Sequence, residues 1–126
     1  MGEINWGRVG PRWADTLILV STFDRGATLC DIIGGCDYMN HAILTYEELS
    51  GGLARLLAAK YMIERDGTFR PSAKGRRAQL VDGRPHMRKL ARAAEAVLGR
   101  DPHPTPGSAI TRAEYKDAVK QYRETF

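Results

Sequence analysis

A two-residue turn constrains the middle of this 126-residue chain more than anything else in it. Asp66-Gly67 stands between Tyr61–Arg65 and Thr68–Pro71, two short runs that carry apolar residues. Asp-Gly tolerates the positive φ angles of a tight hairpin turn, and that turn matches the twist of paired strands. The stretch predicts an antiparallel hairpin closed by Pro71, which has no N–H to extend a ladder. Tyr61 or Met62 with Ile63 is expected to continue the core, and Phe69 to pair back across the hairpin. Arg65 and Arg70 flank the turn, one on each strand.

Around the hairpin, apolar residues recur at helical spacing. Pro11–Asp24 places Trp13, Leu17, Val20 and Phe23 on one stripe, with Pro11 at a helix start and Gly26 as a cap. Thr28 and Asp31 open a second helix, whose buried stripe is Leu29, Ile32, Ile33 and Cys36. Gly34-Gly35 costs that helix about 1 kcal/mol per glycine, so a close approach to another helix is expected there. Asp37–Leu44 either finishes the helix or forms the turn after it. Thr45 and Glu48 form a capping box for a third helix running to about Lys60, with a core stripe of Leu49, Leu53, Leu56 and Leu57. Ser72 caps a helix over Ala73–Leu80, Val81-Asp82-Gly83 is a break, and Pro85–Leu98 is helical again. The proline-rich Asp101–Ser108 is a linker or rigid turn. Thr111 and Glu114 make a further capping box for a last helix to about Thr125, with an apolar stripe of Tyr115, Ala118, Val119 and Tyr122.

This order resembles a winged helix-turn-helix domain over roughly Trp13 to Leu80. Leu44–Ala78, with its helix, apolar pair, charged turn, strand and Ser72-x-x-Gly75-Arg76 run, carries most of the resemblance, and Ala27–Gly35 sits where the helix before the recognition helix belongs. The fold class expected is mainly α with a small two-stranded hairpin. Residues 1–82 would form the winged helix domain and 83–126 a helical extension, a candidate dimerisation element. The resemblance implies double-stranded DNA as partner and transcriptional regulation as role. It puts Arg65, Arg70, Lys74, Arg76 and Arg77 on phosphates and Tyr46, Ser50 and Arg55 nearest the bases.

Charge supports that placement. The formal net charge is +4, but Met1–Glu64 holds 5 basic and 8 acidic residues, Arg65–Arg92 holds 9 and 2, and Ala93–Phe126 holds 5 and 5. A local excess of this kind attracts polyanions and is sensitive to salt. A solvated basic helix face is the bland alternative. Base edges are read by Arg, Lys, Asn and Gln from the first half of a recognition helix. Here that half offers Tyr46, Glu47, Glu48 and Ser50, and Glu47 opposes DNA. The rival expectation is therefore a protein-interaction module that uses the small face Ser50-Gly51-Gly52, which can also be explained by tight packing on another helix.

Enzyme chemistry finds little footing. Cys30 and Cys36 lie about 240° apart around a helix, which disfavours a disulfide, and neither has a base nearby in sequence. His41, His86 and His103 never pair at helical spacing with another ligand, and Asp37 with His41 falls short of the three or four ligands a metal needs. A hydrogen-bonded structural His41 is the simpler reading. Glu47 and Glu48 point about 100° apart, and no phosphate-cradling glycine loop is present. No cofactor is expected. No apolar run approaches the roughly 18 residues of a membrane span, and the first ten residues lack the order of a signal peptide. A soluble, cytoplasmic protein with no membrane partner is the expectation.

Overall fold

A computed structural model describes residues 13–22, 24–79 and 109–125. The described chain is mainly helical with one two-stranded antiparallel sheet. In order the elements are α1 (Trp13–Val20), α2 (Leu29–Asn40), α3 (Tyr46–Ala58), β1 (Met62–Arg65), β2 (Thr68–Pro71), α4 (Ala73–Gln79) and α5 (Arg112–Thr125). The arrangement is compatible with a winged helix. The expected side chain of Phe23, the Val81-Asp82-Gly83 break, the Pro85–Leu98 helix and the Asp101–Ser108 linker lie outside the described residues.

Capping chemistry sets the helix starts. Thr28, Thr45 and Thr111 each accept from a backbone N–H three residues on, while Asp31, Glu48 and Glu114 reach back to the threonine N–H. These reciprocal bonds satisfy donors that an α-helix leaves without internal partners. Helix α2 runs on through Asp37–Asn40 and stops at His41, a left-handed residue with φ 59° whose N–H donates to the Asp37 carbonyl. Asp37 is thus helical, and the residues from His41 to Leu44 make the turn.

The core lies where α1, α2 and α3 converge. Leu17, Ile18, Leu19, Ile32, Ile33, Cys36, Leu49, Leu53 and Leu56 are buried. Each such aliphatic side chain contributes about 2 kcal/mol by leaving water. Two small-residue pairs permit the close packing. Gly52 faces Ile18 and Asp15 of α1, and Gly35 faces Ser21 just beyond α1. Close approach thus explains Gly35 and Gly52, whereas Gly51 faces only the Arg55 side chain of its own helix.

Helix α5 lies on α2 within the same chain. Ala118 is buried, Tyr115, Val119 and Tyr122 pack on the core, and Gly34 leaves room for the Tyr122 ring. The Tyr122 hydroxyl donates to Asp37 at 2.6 Å. That bond, together with burial, keeps the Tyr122 hydroxyl protonated above its usual range. The apolar stripe of the last helix thus packs, in part, on the core of its own chain.

Candidate nucleic-acid interface

The hairpin is locked to both of its neighbours. Asp66 and Gly67 take φ angles of 52° and 79°, and the Gly67 N–H donates to Glu64 at 2.9 Å. The register pairs Met62 with Pro71, Ile63 with Arg70, Glu64 with Phe69 and Arg65 with Thr68. The outer edge of β2 is taken by Ala27, which exchanges both backbone hydrogen bonds with Phe69 at 2.7 and 2.8 Å. This extra bridge, absent from the sequence reading, holds the hairpin against the segment that enters α2.

Alternation then decides which side chains face out. Tyr61, Met62, Phe69 and Pro71 are buried. Ile63, Arg65, Thr68 and Arg70 share the opposite face, because directly paired residues of an antiparallel ladder point the same way. Arg65 and Arg70 therefore project together. Ile63 does not continue the core as expected. It is 44% exposed, since Met62 takes the inward position and a period of two sends its neighbour outward.

The Ser72-x-x-Gly75 motif has a steric cause. Ser72 Oγ donates to the Lys60 carbonyl at 2.6 Å and accepts from the Gly75 N–H at 3.1 Å. A Cβ on Gly75 would overlap the Tyr61 carbonyl oxygen. Lys74 turns inward as well: its Nζ donates to the Ala59 carbonyl at 3.2 Å and stands 4.3 Å from the centre of the Tyr61 ring. A cation at the C-terminal end of α3 suits the negative end of the helix dipole. Lys74 is thus occupied in joining α3 to α4.

Arg76 and Arg77 are exposed on α4. Arg76 lies 3.8 Å from Asp24, a loose pair with both side chains largely in water, worth little in stability. Between β2 and α4 runs a groove of about 300 Å³, lined by Asp24, Ile63, Arg70, Ser72 and Arg76 among others. Gln79 Nε2 donates to the Leu19 carbonyl at 2.7 Å, which fixes the far end of α4 to α1.

Of the three residues placed nearest the bases, one is buried and two are engaged elsewhere. Ser50 is 1% exposed, so it presents no hydroxyl to a ligand, and with Gly52 buried too the face Ser50-Gly51-Gly52 is largely closed to a protein partner. Arg55 makes a two-pronged ion pair with the buried Asp15, both contacts at 2.8 Å. This bond holds the guanidinium more firmly protonated than usual, against the opposing effect of burial. The Tyr46 hydroxyl donates to the Ile110 carbonyl at 2.9 Å, and its ring meets Tyr115 edge to face. The hydroxyl of Tyr115 in turn donates to the Leu44 carbonyl at 2.7 Å. Only Glu47 of that helix end remains well exposed and charged, beside Arg112 at 3.5 Å. No spacing in the sequence could have announced Arg112, which lies more than sixty residues from its partners.

The cysteines are free, as expected. Burial pushes the Cys36 thiol up to about 12, outweighing the Ser21 hydroxyl contact that would lower it. Burial and Asp31 also raise Cys30, which remains partly exposed. The thiolate is the reactive form. At pH 8 without denaturant, a disulfide reagent is expected to titrate Cys30 slowly and to leave Cys36 untouched until the chain unfolds. Rapid release of two equivalents from the folded protein would contradict this burial. Among the described residues no three His, Cys, Asp or Glu side chains gather as a metal site would require, and no helix is long and apolar enough to cross a membrane.

No protein-family model, curated protein or solved structure matches the chain.

Proposed function

We propose that this protein is a winged helix that binds double-stranded DNA, acts in transcriptional regulation in the cytoplasm, and engages DNA through its hairpin and α4 rather than through α3. The observation carrying this reading is the shared outward face of Arg65 and Arg70 on a hairpin tied to both α4 and Ala27. Arg76 and Arg77 extend the positive surface. Arginine on a stiff support suits phosphate because its donors are already arranged in a fork. Contacts of this kind give affinity and little base discrimination. The side chains of α3 fit that outcome, since Ser50 and Arg55 are withdrawn into the fold.

Fluorescence anisotropy with a mixed-sequence duplex tests the reading. The wild-type chain should bind at low salt. The Arg65→Ala/Arg70→Ala variant should bind several-fold more weakly, with a salt slope shallower by about 2. Absence of binding by the wild-type chain at low salt would end the proposal.

A protein-interaction role draws on a different observation. Ile63 is exposed between arginines at the groove, which suits an apolar side chain on an acidic partner. Under that role, Ile63→Asp would abolish partner capture, and duplex DNA would not compete.

A further inference from the structure

We infer that Arg112, the first residue of α5, is a DNA contact: the C-terminal helix carries a guanidinium to the N-terminal end of α3 and supplies the positive charge that α3 itself lacks there. This rests on the DNA-binding reading above.

Of the polar groups at that end of α3, Glu48 is occupied by its capping bond, Ser50 is buried, and the Tyr46 hydroxyl is spent on Ile110. Glu47 alone would face a phosphate, and it would repel it. Arg112 alters that balance. Its guanidinium lies 4.4 Å from the centre of the Tyr46 ring and 3.5 Å from Glu47 Oε1. The ring and the carboxylate hold the guanidinium over α3 without enclosing it, as the side chain keeps 67% exposure. An arginine has five N–H donors in a fixed fork, so a single carboxylate contact leaves several for a phosphate.

The placement is built by α5 as a whole. The Thr111–Glu114 capping box fixes where the helix starts, which puts Arg112 in its first turn. The hydroxyl bonds of Tyr115 to Leu44 and of Tyr46 to Ile110 clamp that start against the turn leading into α3. Helix α3 is roughly 20 Å long at 1.5 Å per residue. The arginine hairpin follows its C-terminal end, and Arg112 marks the other.

The full-length chain is titrated with the same duplex across a range of salt. Arg112→Gln, which retains a flat polar group on the Tyr46 ring, should bind several-fold more weakly, with a salt slope shallower by about 1. Arg112→Lys should keep the wild-type slope. If the wild-type chain binds but Arg112→Gln matches it in affinity and slope, the inference is overturned while the DNA reading stands. If Arg112→Lys loses the slope as fully as Arg112→Gln, charge is not the cause, and the inference is again overturned. If the wild-type chain shows no binding at all, both fall together.

Discussion

Replacing Gly75 by alanine is expected to cost this protein about 3 kcal/mol of stability or more. An added methyl group would overlap the carbonyl oxygen of Tyr61 and crowd the Pro71 side chain. Overpacking at a well-filled site costs about 1–3 kcal/mol, and the upper end is reached where the obstacle cannot rotate away. A backbone carbonyl cannot. Moreover, this carbonyl already accepts the Ser72 N–H at 3.0 Å, so moving it breaks the joint between hairpin and α4. With a total stability of about 5–15 kcal/mol, such a loss should lower Tm by more than about 10 °C. Thermal melts followed by circular dichroism will measure it. Gly51→Ala is the matched control. There the added methyl would meet side-chain atoms alone, the Arg55 guanidinium at 3.2 Å, which has to yield by only a few tenths of an ångström within its Asp15 bonds, while alanine is the better helix former by about 1 kcal/mol. That variant should melt well above Gly75→Ala. Equal melts for the two variants would contradict the packing at Gly75.

The second large effect is expected from Arg55→Met, at about 3–5 kcal/mol of destabilisation by urea titration. The methionine fills much of the same space but leaves the Asp15 carboxylate, 1% exposed, without its two guanidinium bonds. Breaking a buried pair by removing one member costs far more than the intact pair contributes. The double variant Asp15→Asn/Arg55→Met should therefore recover a large part of the loss, because the carboxylate that the guanidinium served is then gone as well. Such recovery is the mark of a coupled pair. DNA binding gives the complementary result. Under conditions where Arg55→Met stays folded, its salt slope should equal that of the wild-type chain, since Arg55 is committed to Asp15. A slope shallower by about 1 would restore Arg55 to the contact set.

Much of the fold is legible in short stretches of sequence. The three threonine capping boxes and the Asp66-Gly67 hairpin depend on atoms within a few residues of one another, and each forms as its spacing dictates. Gly34, Gly35 and Gly52 announce close approach, though they do not say to what. Alternation within β1 also carries information: with Met62 inward, the two-residue period makes Ile63 face out, so the two cannot both be core.

The candidate interface was legible only in part, and the division follows range. The hairpin arginines are positioned by a local ladder, so their common face follows once the register is set. The fate of Arg55, Ser50 and Tyr46 depends on residues far along the chain: Asp15, the α1 face, Ile110 and Tyr115. Arg112 beside Glu47 belongs to the same class.

What the sequence by itself determined, among the described residues, is therefore the starts of α2, α3 and α5 and the turn between the strands, because capping bonds and turn dihedrals are short-range and strongly geometric. What only the tertiary structure decided is which charges remain free. An arginine is drawn inward or left in water by partners that packing brings to it, as Asp15 is brought to Arg55 and Tyr46 to Arg112. Spacing along the chain carries no record of those meetings.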